Sequence, residues 1–303
     1  MQRSGIPCSD DKVIGPKQSS KKMGMKDMSL SQAQVGQFAR DGYLFVPELL
    51  DSEETAMLFA AARDDNRIRE HSFGVVDASG RQSRLAGWNH PGDDIYGMIA
   101  RSHSVVDTME LLLGGEVYHY HSKMMLKEPQ VGGAWEWHQD YGYWYQNGCL
   151  YPDMASCMIA VDRASKENGC LQVLRGSHRI GRIEHGRFGG QNGADPERVQ
   201  VAMQRLELVY SEMEPGTGLF FHANLLHCSG ANHSNRPRWS LICCYNAVSN
   251  DPYRESHHPR YTPLTKVPNN AVKEVGAKGT SPAQVFVDPG EDKTVVATKE
   301  ETR

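Results

Sequence analysis

"RLELVYSEMEPGTGLFFHANLLHCSG", Arg205 to Gly230, holds two apolar runs joined by Pro215-Gly216-Thr217-Gly218. Short runs rich in β-branched and aromatic residues, bounded by Pro and Gly, are strand signals, and the short Pro/Gly link predicts a β-hairpin. The same punctuation recurs on both sides. "EVYHYHSKMMLKEP" alternates and ends in a turn, "SCMIAVDRA" and "GCLQVLRGSH" are further apolar runs, and "RPRWSLICCYNAVS" follows as another strand. Many short strands separated by turn residues predict a mainly β architecture, a sandwich or open barrel.

Upstream the pattern is helical. In "LSQAQVGQFARDG", Ser31 and Gln34 have capping-box spacing, Val35 and Phe38 mark an inner face, and Gly42 stops the helix. "YLFVPELL" predicts a short strand, and "DSEETAMLFAAARDD" a helix with an acidic first turn. Residues 66–100 read as loop, and a further helix spans about 101–113 before Gly114-Gly115. The expected organisation is a polar tail over 1–28, one domain over 29–275 with its helices packed outside the strands, and a loosely ordered polar tail over 276–303.

Bulk composition narrows the function. The chain has 303 residues, 23% of them charged, with a net charge of −4. That balance argues against nucleic acid and anionic membrane as partners. No apolar run reaches the roughly 20 residues of a membrane span. Seven cysteines, an odd number without a C-x-x-C pair, argue against a disulfide framework and fit a reducing cytoplasm. A small-molecule ligand and a monomer or homodimer are expected.

The chemistry concentrates in "WEWHQDYGYWYQNG", Trp135 to Gly148. Read as a strand, it puts His138 and Asp140 on one face, where both can grip one ion. A third ligand is needed. His222 and His227 both lie on "GLFFHANLLHCSG", and residue type alone does not choose between them. Two histidines and one carboxylate form the facial set of non-haem Fe(II) oxygenases. Glu136, placed by alternation on the same face, leaves a zinc hydrolase open as an alternative. A metal-holding but non-catalytic, cupin-like binding protein is another.

The H-x-D motif, then "NGCLQVLRGSH", then "GTGLFFHANLLHCSGANHSNRPRWS", together with "FARDGYLFVPELLDSEE", resembles the phytanoyl-CoA dioxygenase family. The resemblance runs from about residue 30 to 250. It implies a double-stranded β-helix (a jelly-roll, cupin-like core), an Fe(II) ion, 2-oxoglutarate and O2 as cosubstrates, and hydroxylation of an aliphatic C–H bond. It selects His227, followed by "CSGAN", as third ligand, and Arg238, eleven residues on, for the distal carboxylate of 2-oxoglutarate. Arginine's planar fork suits that bidentate task, and Arg236 is the surface rival. The resemblance also places Ser240, Ser229 and Lys123 near the cosubstrate. Met158 falls where phytanoyl-CoA hydroxylase carries a tryptophan. Related halogenases have Ala or Gly in place of Asp140, so its carboxylate implies hydroxylation.

Other features carry weaker expectations. His119 and His121 share a strand face by alternation and could flank the cosubstrate. Arg175, Arg179, Arg182 and Arg187 could line a cationic entrance or simply a solvated loop. Cys243-Cys244 reads as small apolar filling.

Overall fold

The computed structural model describes residues 30–188, 191–276, 285–288 and 290. The tail expected over 1–28 lies outside the described residues, as does most of 276–303. The opening helix, α1 (Gln32–Asp41), starts with the expected capping box between Ser31 and Gln34 and ends at Gly42 with φ 81°. It feeds β1 (Tyr43–Val46). Helix α2 (Ser52–Asp64) is capped reciprocally by Asp51 and Glu54.

The stretch 66–100 is not the loop expected. It contains α3 (Asn66–Glu70), β2 (Phe73–Val76), β3 (Gln82–Trp88) and α4 (Ile95–Arg101). Elements this short, with Gly74, Gly87 and Gly97 inside them, carry little periodic signal; pairing with a long neighbour stabilises them instead. Helix α5 (His103–Leu113) then ends at Gly114 in the left-handed region, as expected.

The remaining strands are β4 (Val117–Lys127), β5 (Trp135–His138), β6 (Met154–Ala160), β7 (Leu171–Leu174), β8 (His185–Phe188), β9 (Gln191–Ala194), β10 (Leu208–Ser211), β11 (Gly218–His222), β12 (His227–Ser229) and β13 (Arg238–Ala247). Helix α6 (Asp140–Trp144) follows β5, α7 (Pro196–Met203) follows β9, and α8 (Ala271–Gly276) follows β13. Seven strands form one antiparallel sheet in the order β1-β11-β6-β13-β4-β3-β2, and a second sheet runs β10-β7-β12-β5. The two face each other as the jelly-roll expected from the resemblance.

The hairpin expected at Pro215–Gly218 is not one. Strand β10 pairs with β7, whereas β11 pairs with β1 and β6 in the opposite sheet. The turn therefore carries the chain across the sandwich. Gly216 sits there at φ 82°, and a Cβ at that position would come within 2.3 Å of Thr55 Oγ1. Only glycine fits both demands.

Alternation along the large sheet loads both of its faces. Phe220, Trp239, Leu241 and Tyr245 join a core with Leu58, Ile99 and Val105 of the helices. Leu219, Phe221 and Ile242 join a second core between the sheets, with Tyr120, Trp144 and Val173. Burial on both faces explains why "RWSLICCYNA" is almost continuously apolar rather than alternating. Cys243 and Cys244 fill one core each, as small apolar residues.

His119 is enclosed in this scaffold. Its Nδ1 meets the Asn89 carbonyl at 3.2 Å and its Nε2 meets Ser122 Oγ at 2.7 Å. Burial, the largest cause, holds its pKa down from 6.5 to about 3. Below pH 6.5 the unfolded chain takes up a proton that the folded chain refuses. The contribution is therefore absent above 6.5 and turns destabilising as pH falls towards about 3, by on the order of 1.36 kcal/mol per unit. Thermal melting should show a midpoint falling through this window. A His119→Gln protein should fall less steeply; an equal slope would assign the acid sensitivity elsewhere.

Candidate metal centre

The small sheet brings two distant histidines together. In the β12–β5 pairing His227 lies directly opposite His138, and their ring centroids are 4.1 Å apart. His222 stays at the end of β11, beside Phe38 and His178. The geometry thus brings His227, and not His222, to His138.

Asp140 arrives differently from expectation. Strand β5 ends at His138, and Asp140 is the first residue of α6. The residue between them, Gln139, is fully buried and tied on every side. Its amide donates to the carbonyls of Gly181 and Asn224, and its oxygen accepts from the Ile183 N–H at 2.7 Å. This anchor turns the chain from strand to helix so that Asp140 still faces the histidines. His138 Nε2 and His227 Nε2 lie 3.8 and 3.9 Å from Asp140 Oδ1, too far for hydrogen bonds. One atom from each residue lies within 4.8 Å of the others, the only such grouping among the described residues. Two ligands each about 2.0–2.2 Å from an ion fit these separations.

The supporting contacts also suit a metal. His138 Nδ1 meets the Glu136 carbonyl at 2.7 Å, and His227 Nδ1 meets the Leu225 carbonyl at 2.9 Å. Those bonds fix the tautomer that leaves Nε2 free to coordinate. Burial pushes both imidazoles towards the neutral form a ligand needs. Ser156 Oγ donates to Asp140 Oδ2 at 3.1 Å, leaving Oδ1 for the ion.

Two cavities meet at this triad. The inner one, about 440 Å³, is lined by Met158, Ser229 and Arg238 with all three triad residues. Arg238 is 3% exposed. Its Nη2 donates to the Gly169 carbonyl at 2.7 Å and its Nη1 to Ser240 Oγ at 3.4 Å, while Nε has no partner. A buried guanidinium with an unused N–H calls for an anion. Ser240 holds the arginine and does not itself line the cavity. Burial lowers the Arg238 pKa only to about 10, so the charge persists at neutral pH. Behind it, buried Lys127 donates to Ser229 Oγ at 2.8 Å and to the Gly230 carbonyl. That lysine, with Gln139 and Ser156, has no motif in the sequence to single it out.

The outer cavity, about 640 Å³, is bounded by Trp88, His121, Trp135, Tyr143, Trp144 and His258 on the other side of His138 and Asp140. Lys123 lines both cavities. His119 and His121 do not share a face: the β4–β13 register skips Tyr120, a bulge that turns His121 inward and leaves His119 stacked edge-on against Tyr245. Tyr141 and Trp137 pack elsewhere. Glu136, the zinc-hydrolase base of the alternative reading, lines neither cavity.

A family model for phytanoyl-CoA dioxygenase matches residues 38–240. The chain belongs to the phytanoyl-CoA dioxygenase family. The match spans most of the chain and contains every residue of the triad together with Arg238. Among curated relatives of this dioxygenase, an L-proline trans-4-hydroxylase of Streptomyces griseoviridis is 29% identical over 231 residues, covering 71% of this chain and 86% of that protein. An ectoine dioxygenase of Halomonas elongata is 29% identical over 263 residues, covering 78% and 76%. The crystal structure of EctD from S. alaskensis with bound Fe superposes with a TM-score of 0.68 at 24% identity, covering 81% of this chain and 90% of that one. The expected enzyme class stands: this member is a non-haem iron- and 2-oxoglutarate-dependent dioxygenase. No helix among the described residues is long and apolar enough to cross a membrane.

Proposed function

We propose that this dioxygenase hydroxylates an aliphatic carbon of a small molecule of amino-acid size, with Fe(II) held by His138, Asp140 and His227. The observation that carries the reading is the placement of the triad between two cavities of different character. Iron(II) with 2-oxoglutarate and O2 supplies the oxidising power that inserts one oxygen atom into a C–H bond while succinate and carbon dioxide leave. The chain's own residues bind, orient and exclude water around that chemistry. Arg238 receives the distal carboxylate of 2-oxoglutarate in the inner cavity, with Ser240 and the Gly169 carbonyl fixing the guanidinium. Ser229, held by Lys127, and Met158 complete the wall. Lys123 contributes positive charge where the two cavities meet.

The substrate occupies the outer cavity. Its lining combines aromatic side chains with the polar groups of Asn89, His121, Lys123 and His258, which suits a small polar molecule. The relatives that act on proline and ectoine support this size class. An acyl-CoA is disfavoured because the arginines expected to form an entrance are partly committed: Arg175 pairs with Glu207 at 2.6 Å, and Arg182 with Glu184 at 2.7 Å. The six described cysteines are buried and free, which fits a reducing, cytoplasmic setting.

Anaerobic protein given Fe(II) and 2-oxoglutarate should develop a weak visible charge-transfer band. On admission of air it should release succinate fastest with one member of a panel containing L-proline, ectoine and other small amino and carboxylic acids. Metal analysis showing zinc, with oxygen-independent activity, would overturn the reading. A band without succinate release over the whole panel would favour a binding protein.

A further inference from the structure

The wall of the outer cavity supplied by β4 is built unlike the rest. His121 and Lys123 lie on β4, paired with Cys244 and Ile242 on the face turned between the sheets, and His121 is 8% exposed. His121 Nδ1 is buried without a hydrogen-bond partner, and the residue lines the cavity. Leaving such a nitrogen unpaired is costly, and a ligand that pairs it recovers that cost. Lys123 lines the same cavity, whose only lining carboxylate among the described residues is the metal ligand Asp140. Donors and one ammonium, with no second acid, suit an anion.

The cover of this wall comes from the far end of the chain. His258 stacks on His121 with ring centroids 4.8 Å apart and an interplanar angle of 18°. Phe286 stacks on His71 at 4.5 Å and meets the Trp88 ring edge-on at 6.0 Å. The Val287 N–H donates to the Gly87 carbonyl at 2.8 Å, and its residue lines the cavity. Both His258 and Val287 lie beyond the family match, which ends at residue 240.

We propose that the wall formed by His121 and Lys123 receives a carboxylate of the substrate, and that His258 and Val287 close it and set the size of what enters. The inference rests on the hydroxylase reading above and adds to it a charge and a size limit. Burial and the neighbouring His258 keep His121 neutral, so its Nδ1 can present a single hydrogen to an oxygen. The relation to the aromatic side is then simple. The carboxylate sits on the Lys123 side while the aliphatic part lies against Trp135, Tyr143 and Trp144, next to the triad.

The test uses the full chain, loaded anaerobically with Fe(II) and 2-oxoglutarate. The probes are L-proline, pipecolic acid and cyclohexanecarboxylic acid, each against its methyl ester and primary amide, and the shift of the visible band is titrated. At least one acid should shift the band and bind about tenfold or more tightly than its ester. His121→Phe should keep the band of the loaded protein and weaken that acid about tenfold. Val287→Trp should exclude the six-membered acids before the five-membered one. Acids and esters that bind alike, a panel in which none shifts the band, or variants that bind as the parent does would each overturn the proposal. Absence of the band in the loaded parent would instead remove the hydroxylase reading itself, and this inference with it.

Discussion

A His138→Ala protein should lose iron, the charge-transfer band and succinate release together, while its circular dichroism stays that of the parent. With Fe(II) bound as proposed, the ring would be one of three ligands, and alanine would leave only His227 and Asp140 to hold it. Two ligands bind a divalent ion weakly, and the change also removes the bond from Nδ1 to the Glu136 carbonyl that fixes the ring. A Ser156→Ala protein is the matched control. It removes the hydrogen bond to Asp140 Oδ2 without touching a ligand atom. Loss of such a supporting contact costs about 10–100-fold, so this variant should bind iron more weakly but remain active at high iron. Inductively coupled plasma metal analysis and oxygen-dependent succinate assays read both. Iron retained at parental stoichiometry in His138→Ala would sink the assignment of the triad.

The second large effect is expected at Arg238. Its guanidinium is buried and lines the inner cavity, its Nε lacks a partner, and the rest of its fork is fixed on the Gly169 carbonyl and Ser240. Arg238→Leu keeps the volume and removes the charge. Breaking a buried charge-to-carboxylate contact costs about 2–5 kcal/mol, so KM for 2-oxoglutarate should rise by roughly 30-fold or more. Iron binding in the absence of 2-oxoglutarate should change little, because Arg238 touches none of the three ligand side chains. Arg238→Lys should recover only part of the loss, since an ammonium cannot reproduce the planar fork. An unchanged KM in both variants would move the cosubstrate carboxylate to another cation.

The sequence was most legible where a residue type has one structural use. Ser31 with Gln34 marked the start of α1, and Gly42 and Gly114 marked helix ends, because capping geometry depends on neighbours close in the chain. His138, Asp140, His227 and Arg238 were legible through order and offset. The local reading beneath them was less secure. Asp140 was placed by strand alternation, yet it sits on a helix, and it reaches the metal centre because buried Gln139 turns the chain. The Pro215–Gly218 link was read as a hairpin because punctuation shows where a strand ends but not which sheet the next one joins. His119 and His121 were paired by a two-residue period that the bulge at Tyr120 breaks. Lys127, His258 and Val287 carry no local signal for a shared reason: their roles depend on contacts with Ser229, His121 and Gly87, which only folding brings near.

The docking of Phe286 and Val287 beside β3 also has a bearing on biosynthesis. Translation delivers every ligand of the triad, and both sheets, well before these two residues leave the ribosome. A nascent polypeptide can therefore assemble the two sheets and bring the triad together before Phe286 and Val287 dock beside β3. Emergence of that segment, rather than formation of the sheets, is the event that finishes the lining of the outer cavity.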